Sequence, residues 1–111
     1  MTPRSLSHVA LGVRDFDRSL HFYCDLLGFQ VAQEVTEFEG SKYRLGGISE
    51  QENRKFRVVV LRYGKENTAP YGMSEDASVI SLVAPLGPQP TGKGIKVDHI
   101  GISHFGIWVK G

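Results

Sequence analysis

The feature that most constrains this chain is a short sequence pattern that occurs twice. The stretch Ser7-His8-Val9-Ala10-Leu11-Gly12-Val13-Arg14 has a near counterpart in Ser103-His104-Phe105-Gly106-Ile107-Trp108-Val109-Lys110. In each copy a Ser-His pair is followed by a small residue two positions after the histidine, a valine five positions after it, and then a basic residue. Such repetition indicates a structural unit that the chain begins twice.

The repeated pattern also places two histidines in equivalent positions. If each copy forms a β-strand, its side chains alternate between the two faces of a sheet. His8 then shares a face with Ala10, and His104 shares a face with Trp108. Both histidines are candidates for a binding or metal site. The plainer interpretation is that they are strand histidines that hydrogen-bond to backbone carbonyls.

Composition excludes several classes of protein. The chain has 111 residues, enough for one small domain with a real core, and its formal net charge is +1. Lys and Arg are scattered along it, so we expect neither nucleic acid nor a membrane surface as a partner. The single cysteine excludes an internal disulfide and is compatible with a reducing compartment. We therefore expect a cytoplasmic protein.

Local patterns predict the element order β-α-β-(β)-β-β. The helix is predicted over Phe16–Leu27, with Asp15 as its N-cap and Gly28 as a left-handed residue that ends it. Cys24 lies on the apolar stripe of this helix, so we expect a buried thiol that is not a nucleophile. Strands are predicted over residues 6–13, 29–36, 56–63 and 78–84, with a possible short strand over 42–45.

The distribution of Pro and Gly divides the chain. We expect a first βαβββ module over residues 1–85, a linker over 86–98, and the first strand of an incomplete second module over 99–111. A single strand cannot bury its own apolar face, so another chain is expected to complete this sheet. The predicted assembly is a homodimer.

The motifs along the chain resemble a known family. The run from Ser7 to Asp15, followed by Phe22-Tyr23 and Leu26-Leu27-Gly28-Phe29, is similar to the vicinal oxygen chelate superfamily, the group of glyoxalases, bleomycin-resistance proteins and extradiol dioxygenases. The later strands and the Gly/Pro linker follow in the family's order. The resemblance implies an α+β fold of βαβββ modules, whose curled mixed sheets enclose a pocket that commonly holds a divalent metal.

The resemblance also assigns positions to the metal ligands. His8 matches the first ligand and His104 the ligand that opens the second module, with His99 as a rival register for the latter. The ligand of the last strand of the first module is usually Glu, Gln or His, and here that position is Ser81. The implied metal is Mn²⁺, Fe²⁺, Ni²⁺ or Zn²⁺, which accept imidazole and carboxylate ligands.

Other side chains are candidates for the wall of a pocket. Arg57 and Tyr63 share one face of the strand over 56–63, where either could orient an anionic substrate, although a charge that faces water is the plainer interpretation. Trp108 could line an apolar pocket or fill the core.

Three functional hypotheses follow. The first is a metal-dependent lyase, isomerase or dioxygenase that acts on a small oxygen-bearing substrate. The second is a metal-free protein that binds or sequesters a small molecule, a role that tolerates Ser81. The third is a catalytically silent module that pairs with another chain.

Overall fold

A computed structural model describes residues 1–3, 6–39, 55–64, 77–87, 89–90, 92–102 and 104–110. The predicted short strand over 42–45 lies outside these ranges. The elements in chain order are β1 (Val9–Gly12), α1 (Phe16–Leu20), a π-helical segment (His21–Leu26), β2 (Gln30–Glu39), β3 (Lys55–Gly64) and β4 (Ala77–Pro85). This order is the βαβββ order that the sequence predicts.

The four strands form one mixed sheet with the order β1-β4-β3-β2. β1 runs parallel to β4, whereas the pairs β2/β3 and β3/β4 are antiparallel. The predicted α+β class and mixed sheet are confirmed. The outer side of β1 is one edge of this open sheet, which matters for the site described below.

The connection from β1 to the helix follows the predicted capping. Asp15 is the N-cap, and its side chain accepts a hydrogen bond of 3.1 Å from the backbone N–H of Arg18. The predicted single helix over Phe16–Leu27 is α-helical only to Leu20 and continues as a π-helix to Leu26. Apolar spacing over six residues cannot distinguish these two helix types, so the sequence predicts the helix but not its change of pitch.

Gly28 ends the helix as predicted. Its φ of 82° lies in the left-handed region that favours glycine. The backbone N–H of Phe29 then donates to the carbonyl of Tyr23 at 2.9 Å, which turns the Phe29 side chain into the core. The Phe29 ring packs between those of Tyr23 and Tyr63, with centroids 5.8 Å and 5.6 Å away.

The hydrophobic core lies between the helix and one face of the sheet. One buried member, Phe29, directly precedes β2, and the others come from the centres of β3 and β4: Val59, Leu61, Ile80 and Leu82. The alternate residues of β3 and β4 are also buried, although they point to the opposite face: Val60, Arg62, Val79 and Ser81. The centre of the sheet is therefore covered on both faces, and the face without the helix carries two polar side chains.

The C-terminal segment, defined here as residues 92–102 and 104–110, contains neither helix nor strand. The sequence predicts the first strand of a second module over residues 99–111, and residues 99–102 and 104–110 form no strand. A strand needs a neighbour to accept its backbone hydrogen bonds, and this segment lies across β1 without joining the ladder. The predicted division of the chain into a module, a linker and a second module stays a prediction.

Several large apolar side chains of the C-terminal segment are exposed. The fully exposed ones are Ile100 and Trp108, and most of Val97, Ile102 and Val109 is also exposed. Among the helices that the structure describes, none is long and apolar enough to cross a membrane.

Candidate functional site

A cleft of about 390 Å³ lies between β1 and the C-terminal segment, and we call it the β1 cleft. Its lining residues come in equal numbers from these two parts of the chain: Val9, Ala10, Leu11, Ile102, His104 and Phe105. The lining is apolar except for the imidazole of His104. Small-molecule sites are also largely apolar, but this cleft is open to solvent, since most of Ile102 is exposed.

The two candidate histidines lie differently with respect to this cleft. His104 lines it, whereas His8 directly precedes its first lining residue, Val9. The Nδ1 atom of His8 lies 3.0 Å from the Oγ atom of Ser7, and the His8 side chain is exposed. The structure therefore places both histidines near the β1 edge of the sheet, and their role as a metal or binding site stays a prediction.

Ser81 lies one strand further into the sheet. It is buried in β4, in register with Ala10 of β1 on one side and Val60 of β3 on the other. Residues in register on adjacent strands point to the same face, so Ser81 lies on the face of Ala10 and next to a wall of the β1 cleft. The position that the resemblance assigns to a metal ligand is thus near His104, but it carries a neutral hydroxyl.

Arg57 belongs to the helix side of the sheet. Its Nη2 atom lies 2.7 Å and its Nε 2.8 Å from the Oε1 atom of Glu34, and its guanidinium lies 4.3 Å from the ring centroid of Phe16. The Asp17 carboxylate is 4.0 Å away. Arg57 therefore ties α1 to β2 and β3, and it does not line the β1 cleft.

The other two pocket candidates are also outside the cleft. Tyr63 packs on Phe29 at the end of the core and is half exposed. The side chain of Trp108 is fully exposed. Alternation along a strand correctly groups Arg57 with Tyr63, but it cannot tell which of the two groups faces the helix.

Sequence reasoning missed the second wall of the site. Ile102 and Phe105 form this wall with His104, and no periodic pattern marks them because their segment has no regular structure. Outside the cleft, the sequence also does not predict that Arg62 is buried, with 9% of its surface exposed, on the same face as Ser81.

Two titratable side chains that pack against the core have raised pKa values. Burial raises the pKa of the Tyr23 hydroxyl. Burial, and secondarily the carboxylate of Asp25, raises the pKa of the Cys24 thiol. A thiol with a raised pKa holds little thiolate at neutral pH, so Cys24 has no nucleophilic activation.

The βαβββ order and the mixed sheet define an α+β module with an open cleft along its edge strand. The family model of the Glyoxalase/Bleomycin resistance protein/Dioxygenase superfamily matches residues 5–109, and the chain belongs to that superfamily. Comparison with curated proteins gave no match, and comparison with solved structures gave none either.

The divalent metal that the family resemblance implies can be tested against the side chains present. Among the described residues, no group of three or more His, Cys, Asp or Glu side chains could hold a metal ion. His8, His104 and Ser81 supply two neutral imidazoles and a neutral hydroxyl, and none of them balances the charge of a dication. The donor set that one chain presents in the described ranges therefore does not fit a divalent metal site.

Proposed function

We propose that this chain binds a small, largely apolar molecule in the β1 cleft and does so without a metal. The observation that carries the proposal is the composition of the cleft, in which five apolar residues surround one imidazole. Apolar walls supply binding free energy, and a single polar group fixes the orientation of a ligand. In this site the imidazole of His104 is the group that would hydrogen-bond to an oxygen or nitrogen of the ligand.

The position of Ser81 supports binding over metal-dependent catalysis. A metal-dependent lyase, isomerase or dioxygenase needs a metal that polarises a substrate oxygen, and that metal needs enough strong ligands, such as imidazole or carboxylate, to hold it. Ser81 occupies the position where the family usually places Glu, Gln or His, and it is buried beside the cleft. A serine there is compatible with an apolar ligand and weakens the case for a dication.

We further propose that the protein is cytoplasmic and forms a homodimer. The outer side of β1 is a sheet edge, and such edges are usually covered in native proteins. The exposed Ile100 and Trp108 side chains form apolar surface that a second copy of the chain would bury. We expect sedimentation at micromolar concentration to give the mass of two chains. A compact monomer that unfolds cooperatively would contradict the homodimer.

The site can be tested with a pair of variants in the same strand. Ala10→Leu places a branched side chain in the β1 cleft, and we expect it to weaken binding of the fluorescent probe anilinonaphthalene sulfonate about tenfold, since overpacking costs about 1–3 kcal/mol. Gly12→Leu is the matched control. Gly12 lies two residues further along β1, on the same face, and a Cβ there meets nothing within 4 Å. We expect Gly12→Leu to leave the affinity unchanged.

Fluorescence titration of both variants checks this expectation. Equal loss of affinity in the two variants, or no loss in either, would mean that the probe binds elsewhere and that the β1 cleft is not the binding site. Far-ultraviolet circular dichroism of each variant confirms that the sheet is intact before the titrations are compared.

A further inference from the structure

Arg14 makes a long-range contact that the proposed function does not use. It lies two residues beyond the end of β1, and its Nη2 atom donates hydrogen bonds to the carbonyl oxygen of Gly92 at 2.7 Å and to that of Pro90 at 3.3 Å. The guanidinium is charged at all physiological pH values, so both hydrogen bonds are charge-assisted. They join the first strand to a part of the chain that follows the last one.

The position of this contact matters because it lies between β4 and the second wall of the β1 cleft. β4 ends at Pro85, and the wall is made by Ile102, His104 and Phe105. The intervening chain has no helix or strand in its described residues. Anchoring it partway shortens the free length between fixed points, which lowers the entropy cost of holding the wall against β1.

A local turn extends the effect of the anchor. The backbone N–H of His99 donates to the carbonyl of Lys96 at 3.0 Å, and the N–H of Lys96 donates to the Nδ1 atom of His99 at 3.2 Å. Gly101, with a φ of 125°, lies so close to Ile95 that a Cβ would approach the Ile95 Cδ1 atom to 2.8 Å. The stretch between the anchor and the wall is therefore folded on itself, which further shortens the free length of chain between them.

We propose that Arg14 is a positioning residue that fastens the chain at Pro90 and Gly92 to the end of β1 and thereby holds the C-terminal segment in place as the second wall of the β1 cleft. The wall has no strand or helix to keep it there. Its place in the single chain depends on this guanidinium. The part of the proposal that concerns ligand binding rests on the proposed function, whereas the placement of the segment does not.

Both hydrogen bonds come from one guanidinium nitrogen, Nη2, which reaches carbonyl oxygens two residues apart in the chain. A lysine at this position keeps the charge and has three N–H donors, but its ammonium sits on a shorter and more flexible side chain. Arg14→Lys should therefore retain part of the effect, and Arg14→Leu should lose all of it.

Cross-linking measures the placement of the segment directly. In a Cys24→Ala background, the pair Ala10→Cys and Phe105→Cys puts one thiol on each wall of the β1 cleft, and a short bismaleimide joins them when the walls face each other. With Arg14 present, we expect a cross-linked product that migrates as a single chain under denaturing conditions. With Arg14→Leu, we expect its yield to fall about fivefold, the factor that corresponds to losing one or two hydrogen bonds to partly solvated carbonyls.

Two further variants separate positioning from a general loss of structure. Arg18→Leu is the matched control, because Arg18 is an exposed arginine of α1 near Arg14 in sequence, and we expect the yield to be unchanged. Arg14→Lys should give an intermediate yield. Equal yields with Arg14 and with Arg14→Leu would overturn the proposal. So would a failure to form any single-chain product, or the formation of a product that joins two chains.

The same set of proteins distinguishes this proposal from the proposed function. If the cross-link depends on Arg14 but Ala10→Leu does not weaken probe binding, the fastening role stands and the binding role fails. If Ala10→Leu weakens probe binding but the cross-link does not depend on Arg14, the binding role stands and the fastening role fails.

Discussion

Leu82→Ala is expected to lower the free energy of unfolding by about 3–5 kcal/mol, the range for a leucine truncated in a rigid core. Leu82 is fully buried, with 0% of its surface exposed, and it packs with Phe29, Leu61 and Ile80 between the helix and the sheet. A domain of this size is stabilised by only about 5–15 kcal/mol in total. The variant should therefore lose a large fraction of its stability.

Urea unfolding followed by far-ultraviolet circular dichroism checks this value. The fluorescence of Trp108 is a poor reporter because its side chain is already fully exposed in the folded protein. Leu6→Ala is the matched control, since 80% of Leu6 is exposed, and we expect it to change stability by no more than about 0.5 kcal/mol. Similar losses in the two variants would mean that the core does not lie between the helix and this face.

Ser81→Glu is expected to destabilise the protein by about 3 kcal/mol or more, because it places an unpaired carboxylate at a buried position of β4. Ser81→Gln is the matched control, with nearly the same volume and no charge. The difference between the two variants isolates the cost of the charge from the cost of the larger side chain.

The difference should depend on pH in a defined direction. Burial disfavours the charged form, so the pKa of the introduced carboxyl is higher in the folded state than its unfolded value of about 4.3. Between the unfolded and the folded pKa of this carboxyl, folded Ser81→Glu protein binds more protons than unfolded protein. Its stability therefore falls as the pH rises from the unfolded pKa to the folded pKa. We expect the two variants to be equally stable below about pH 4 and to diverge above it. Equal stabilities at pH 7 would show that position 81 is accessible to water.

Metal addition to the same variants tests the ligand positions. A carboxylate at position 81 would lie beside Ala10, one strand in from the sheet edge that His8 precedes and that His104 faces across the β1 cleft. We expect Zn²⁺ to recover about 2–3 kcal/mol in Ser81→Glu when present at about a hundredfold excess over its Kd, and to stabilise the parent protein little. Recovery should disappear when His104→Ala is added. Stoichiometric metal in the parent protein, removed by His8→Ala and by His104→Ala, would contradict a metal-free function.

The elements that the sequence predicts well are those that local chemistry determines. Asp15 caps the helix because its carboxylate reaches the backbone of Arg18, and Gly28 ends it because a left-handed residue is needed there. The strands β3 and β4 follow from their β-branched residues, and each extends one residue beyond its predicted bounds at both ends. These features require no knowledge of the rest of the chain.

The features that the sequence does not predict depend on distant parts of the chain. Alternation separates Arg57 and Tyr63 from Arg62, but only the packing of α1 decides which set faces the helix. The strand expected from the second copy of the repeat is absent from residues 104–110 because no neighbouring strand pairs with them. Half of the β1 cleft is therefore built from residues whose role only the tertiary structure reveals.

The parallel pairing of β1 with β4 has a consequence for how the chain folds. Val9 of β1 lies in register with Ile80 of β4, so these two paired strands are about seventy residues apart in the chain. Each of the pairs β2/β3 and β3/β4 joins strands that are consecutive in the chain, so we expect these pairs to form early. The pairing of β1 with β4 closes a much longer loop and is expected to form later. The β1 cleft is built on that strand, so we expect hydrogen exchange to show β1 opening at a lower free energy than β3 and β4.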